Sequence, residues 1–174
     1  MARSLTKLAW LNSLTADEAA QELLQCCGST RWAHEMATGR PYATLETLLA
    51  RADDIWWSLD RSDWLEAFRS HPKIGEKKAD SKVSAQSQQW SGQEQSGVAN
   101  ASEDAVDSLA ALNRDYEQKF GFIFIICATG KTSDYMLSAL RERLQHDAAA
   151  ELPIAAAEQG KITELRLKKL LTSS

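Results

Sequence analysis

Cysteine is scarce in this chain of 174 residues: Cys26 and Cys27 are adjacent, and Cys127 stands alone in an apolar run. No even-numbered disulfide framework and no Cys-x-x-Cys metal pair can be drawn from three such residues, which read as buried thiols in a reducing compartment. Basic charge is also short. Against 24 Asp and Glu there are 20 Lys and Arg, a formal charge of −4, which excludes the dense basic face that nucleic acid or an anionic membrane would require. Long apolar runs are missing, since no stretch approaches the ~18 residues of a membrane span. The start, Met1-Ala2-Arg3-Ser4-Leu5, has no apolar secretory core, and the end, Leu171-Thr172-Ser173-Ser174, is no peroxisomal tripeptide; the expectation is a cytoplasmic protein. The three histidines, His34, His71 and His146, match no zinc spacing, so no metal is expected. GxGxxG, P-loop, HExxH and GxSxG motifs do not occur, which removes support for nucleotide, zinc-protease and serine-hydrolase readings.

What is present is helical periodicity on a chain that is 44% hydrophobic, enough to bury a core without staples. Thr15-Ala16-Asp17-Glu18 has the form of a capping box, and Ala19, Ala20, Leu23, Leu24 and Cys27 follow at helical spacing as far as Gly28. A second helix carries Trp32 and Met36 up to the break at Gly39-Arg40-Pro41, and Thr44 opens a third with Leu45, Leu48, Leu49, Ala52, Ile55 and Trp56 on one face. Ser62-Asp63 caps a short helix that must end near Ser70, because Pro72 disfavours helical geometry at His71. From Lys77 to Gly97 the chain is polar enough to be a linker, but Trp90 and the spacing of Ser91 and Glu94 predict a helix that starts at Ser91. Its first turn would present Glu94 and Gln95. Ser102 opens a long helix closed by Gly121, Ser133 another, and a last runs from roughly Ala148 to Leu171. The run Phe122 to Ala128 is the one strand-like segment, and a lone strand makes no sheet, so it is expected to be a buried extended or helical piece. The expected fold is all-α: one domain over residues 1–174, a bundle of about seven to nine helices.

Chemistry is concentrated in His71-Pro72-Lys73-Ile74-Gly75 and Ser91-Gly92-Gln93-Glu94-Gln95. The first sets an imidazole past a helix end, with Pro fixing the backbone after it and Gly permitting close approach of a ligand, which makes His71 a candidate acid or base. The second would offer a carboxylate, amides and a hydroxyl at a helix start, where free backbone N–H groups suit a polar ligand. Each residue also has an ordinary reading: His71 as a structural histidine, Ser91 as an N-cap, Glu94 as a solvated helix residue, Cys127 as a buried thiol. Arg166, near a helix C-terminus, reads on spacing alone as a surface cation that complements the dipole.

These motifs, with Tyr116-x-x-Lys119-Phe120-Gly121-Phe122-x-Phe124, the closing Lys161-Ile162-x-x-Leu165-Arg166-Leu167, Trp32 and Arg40-Pro41-Tyr42, resemble the 2-oxo-4-hydroxy-4-carboxy-5-ureidoimidazoline (OHCU) decarboxylase family over nearly the whole chain. The resemblance implies an all-helical, cofactor-free carboxy-lyase, commonly a homodimer, acting at the last step from urate to (S)-allantoin and coupled in function to 5-hydroxyisourate hydrolase. It implies His71 as the catalytic proton donor, with Glu94 and Arg166 also catalytic. Pro72, Ser91, Gly92, Gln93, Glu94 and Gln95, together with Phe124, Ile125, Ile126, Cys127 and Ala128, are implied to line the substrate. Ile123 departs from the family, which usually has proline between the two phenylalanines. Two other classes stay open on the residues alone: a helical module that binds ureido or purine-derived ligands without turnover, and a helical adaptor with no small-molecule pocket.

Overall fold

The computed structural model describes residues 6–74, 85–99 and 101–172. Among them are ten α-helices and no strand: α1 (Lys7–Ser13), α2 (Ala16–Leu24), α3 (Thr30–Thr38), α4 (Leu45–Ser58), α5 (Arg61–Arg69), α6 (Ala85–Glu94), α7 (Ser96–Ala99), α8 (Glu103–Phe120), α9 (Ser133–Arg143) and α10 (Ala148–Thr172). The all-α expectation holds. Ten is one more than the upper end of the expected seven to nine; the two helices not picked out one by one in the sequence are short, α1 and the four-residue α7, whose length leaves little periodicity to detect. The chain clusters into two compact units, Met1–Ala67 with Gly160–Ser174, and Phe68–Gln159.

In the first unit the helix starts follow the expected chemistry. Thr15 accepts from the Glu18 amide while Glu18 reaches back to the Thr15 amide, a full capping box, and Thr44 accepts from the amide of Thr47. The helix at α5 starts earlier than Ser62-Asp63 suggests: Arg61 is already helical, and the Asp63 carboxylate accepts from the backbone N–H of Asp60. Leu11, Leu23, Trp32, Met36, Leu48, Ile55, Trp56 and Leu167 are buried together in this unit. Indole groups inside it are satisfied by helix carbonyls, Trp32 Nε1 donating to Ala52 (3.1 Å) and Trp64 Nε1 to Trp56 (2.9 Å). Arg40 ties the α3–α4 connection to α1, its Nη1 donating to the carbonyls of Leu11 (2.7 Å) and Leu14 (2.8 Å).

The second unit contains α6 to α9 and the first half of α10, and an aromatic cluster lies in its interior. The Tyr116 ring lies 4.6 Å from Phe120 and 5.4 Å from Phe124, and Phe68 lies 5.5 Å from Phe122, centroid to centroid. Helix α8 starts at the Ser102 cap and stops at Gly121, whose φ of +81° is the left-handed conformation that favours glycine. Gly97 is needed for a different reason: a Cβ there would stand 2.0 Å from the Lys131 carbonyl oxygen, so α7 approaches the Gly130–Lys131 turn only without a side chain.

Residues 122–128 are neither helix nor strand, although Phe122, Phe124, Ile125, Ile126 and Ala128 are buried. Such a segment needs partners for its backbone groups. Neighbouring side chains provide them: Arg143 Nη1 donates to the Ile125 carbonyl (2.6 Å), and Glu158 accepts from the Cys127 N–H (3.2 Å). Arg143 is in turn held by Glu151, which accepts from its Nε (2.6 Å) and from the Tyr116 hydroxyl (2.5 Å), with His146 Nδ1 at 3.0 Å on the other carboxylate oxygen. Helix side chains thus do for this segment what a neighbouring strand would do.

Candidate active site

His71 sits two residues beyond α5, as the proline rule predicts, its N–H donating to the Phe68 carbonyl (3.2 Å). Lys73 and Ile74, just beyond it, are pinned to α8. Lys73 pairs with Glu117 (2.8 Å), and Ile74 is buried with its carbonyl accepting from Asn113 Nδ2 (3.3 Å). Gly75, and the polar stretch up to residue 84, lie outside the described residues. The imidazole is half-buried, and its Nε2 stands 2.6 Å from Oε1 of Gln159, a side chain of α10 with 0% exposure. The adjacent residue, Glu158, holds the Cys127 amide, so one turn of α10 anchors both the imidazole and the apolar segment.

The expectation for Ser91 and Glu94 is corrected. Ser91 is no N-cap: α6 begins at Ala85, Ser91 lies well inside it, and its carbonyl accepts from the Gln95 N–H (3.1 Å). Glu94 and Gln95 therefore belong to a helix end, not a first turn, and the free amides expected there are not those of a helix start. Periodicity missed the first two turns because the inward face of α6 is polar: Ser87, Trp90, Ser91 and Glu94 are buried, with Glu94 only 7% exposed, while Gly92 and Gln93 face outward and Gln95 is half-buried. A buried face of hydroxyls and a carboxylate on a polar helix is the observation that calls for a functional account. Pro72 is half-buried; Phe124, Ile125, Ile126 and Ala128 point into the core, and Cys127 is half-buried, so this segment presents backbone more than side chain.

Arg166 is not a surface cation. It is 3% exposed, on the inward stripe of α10 formed by Ile162, Thr163, Arg166 and Leu167, and its Nη1 donates to the Gln25 carbonyl (3.1 Å) within the first unit. Cys27 shares that interior. Burial pushes its thiol up to about 12, in spite of the lowering field of Arg166, and so keeps it protonated and unreactive at neutral pH. A cleft of about 370 Å³ in the same unit, between Leu49, Asp53, Trp56, Thr163 and Glu164, is lined by none of the expected site residues. Among the described residues no cluster of His, Cys, Asp and Glu could hold a metal ion.

Sequence reading missed Gln159, Glu158 and the Arg143–Glu151–Tyr116 network. A signal existed for Gln159: it continues the buried stripe of Ala155, Ala156, Ile162 and Arg166 at helical spacing, and a polar residue on such a stripe needs a partner.

Residues 12–168 match the OHCU decarboxylase family, a match that runs across both compact units. The chain belongs to that family. It is 44% identical over 84% of its length to the uric acid degradation bifunctional protein TTL of Arabidopsis thaliana, and 32% identical over 74% of its length to the OHCU decarboxylase of Xenopus laevis, of which it covers 73%. Of the bifunctional relatives it spans less than half, 45% of the Arabidopsis protein and 32% of that of Bacillus subtilis. A crystal structure of an OHCU decarboxylase in the presence of (S)-allantoin superposes with a TM-score of 0.75 at 42% identity, covering 87% of this chain and 98% of that one.

Proposed function

We propose that this chain decarboxylates OHCU to (S)-allantoin with His71 as the acid that protonates the product carbon. One observation carries the reading: an imidazole set past a helix end, its Nε2 on a buried amide oxygen, in a chain of this family. The substrate holds a hydroxyl and a carboxylate on one ring carbon, beside a ring imine carbon that bears the ureido group. When the carbon–carboxylate bond breaks, its electron pair forms the ring carbon–carbon double bond, the imine pair moves onto the ring nitrogen, which takes a proton from water, carbon dioxide leaves, and an enol remains. The substrate is its own electron sink, so the reaction asks the protein for positioning and proton transfer. Glu94 takes the hydroxyl proton as the ketone forms, and His71 delivers a proton to one face of the ureido-bearing carbon.

The family resemblance gives Arg166 and the backbone amides around Phe124 to Ala128, other than the Cys127 N–H that Glu158 accepts from, the task of holding ring oxygens and negative charge, which a planar fork of donors suits. Pro72, Ser91, Gly92, Gln93 and Gln95 complete the proposed substrate contacts. On the same ground we take the working form to be one helical domain over residues 1–174, paired as a cytoplasmic homodimer, receiving its labile substrate from 5-hydroxyisourate hydrolase. No helix of the described residues is long and apolar enough to cross a membrane.

The test couples urate oxidase and the hydrolase to this protein and follows circular dichroism of the allantoin formed. Wild-type protein should enrich the S hand, and His71→Asn should lose at least ~100-fold in rate while keeping its helical spectrum. Product that is racemic from the first turnover would leave His71 with at most a role in releasing carbon dioxide, and a His71→Asn rate near wild type would remove it from the reaction.

A further inference from the structure

We propose that Gln159 is a positioning residue for the reaction: its side-chain oxygen selects the His71 tautomer protonated on Nε2, so that the proton exchanged with substrate is the one on Nδ1. The inference rests on the reading of His71 as the acid. A 2.6 Å contact between Nε2 and an amide oxygen is attractive only if the nitrogen carries the hydrogen, because an amide oxygen accepts and never donates. An imidazole so engaged has one nitrogen left to gain and lose a proton at moderate pH.

Three features make this contact more than incidental packing. Gln159 is fully buried, so its amide cannot exchange this partner for bulk water without a cost. It stands on the 25-residue α10, whereas His71 stands on irregular chain, so the rigid element directs the loop residue. The neighbouring Glu158 holds the Cys127 amide, which ties imidazole and apolar segment to the same helical turn. His71 is placed by its backbone bond to Phe68, and its ring is oriented by the contact with Gln159.

The test reads the tautomer directly and without substrate. Two-bond proton–nitrogen NMR spectra of the three imidazoles, with His71 assigned by its loss in His71→Asn, should show the wild-type ring protonated on Nε2 when neutral. Gln159→Leu should shift His71 to a mixture of tautomers and lower kcat roughly 10- to 100-fold, the range typical for removal of the partner that orients a metal-bound imidazole, with a smaller change in KM. Gln159→Glu, which keeps an acceptor oxygen, should restore the Nε2-protonated ring and most of kcat. Should the leucine variant fail to fold, Gln159→Met supplies the same length without an acceptor. An unchanged tautomer in Gln159→Leu, whether or not kcat falls, overturns the proposal, because Gln159 would then act on something other than the ring. A His71→Asn protein that retains activity would instead bring down the assignment of His71 and leave the tautomer result standing.

Discussion

Glu151 offers the sharpest test of how the second unit is held. It has no exposed surface, and its two oxygens serve Tyr116, Arg143 and His146 at 2.5, 2.6 and 3.0 Å. Glu151→Ala leaves the Arg143 guanidinium buried with its carboxylate gone and takes away the acceptor of the Tyr116 hydroxyl, although the Ile125 carbonyl still accepts from Nη1 and the Tyr116 oxygen from Nη2 (3.4 Å). Breaking a buried pair in this way costs about 3–5 kcal/mol, and neither group is exposed enough for solvent screening to reduce it. In a domain of this size each kcal/mol moves Tm by about 2–4 °C, so a fall of roughly 6–20 °C is expected. Because Arg143 also carries the Ile125 carbonyl and stacks 4.5 Å over Phe124, the lost order should reach the 122–128 segment. Urea and thermal unfolding followed by circular dichroism measure the loss, and amide exchange at residues 124–127 localises it. Glu151→Gln keeps the acceptor and should lie between the two. A Glu151→Ala protein within ~1 kcal/mol of wild type would refute the reasoning, since a buried guanidinium that has lost its counter-charge cannot be that cheap.

Burial and close approach set two further outcomes. Cys27 is held protonated in the native state up to about 12, while an unfolded thiol ionises near 9; the native state therefore binds the extra proton, and stability should fall as pH rises from about 9, by at most ~1.4 kcal/mol per unit. Tyr116, also raised by burial, adds to the fall above about pH 10, and urea midpoints at pH 8, 10 and 11 should show a shallower decline in Cys27→Ala; an equal decline in both proteins would assign it elsewhere. Gly97→Ala must push its new methyl against the Lys131 carbonyl and should cost about 1–3 kcal/mol in the same assay, whereas Gly92→Ala, with nothing within 4 Å of the new atom, should not be destabilising.

The sequence by itself determined the helices whose ends are written in local chemistry. Thr15, Thr44 and Ser102 cap where their side chains can reach the amide three residues on, and Gly121 stops α8 because few other residues take a positive φ at low cost. It likewise placed His71 beyond α5, since the clash of a proline ring with the preceding residue is a property of two neighbours. Where the buried face is polar, as on α6, periodicity carried no information and the helix start was misplaced by two turns. Only the tertiary structure decided that Arg166 is interior, that residues 122–128 stay irregular although most of them are buried, and that His71 meets Gln159, 88 residues further along the chain. Spacing along one helix says which residues share a face; which distant side chain completes a hydrogen bond depends on how helices pack, and no local rule contains it.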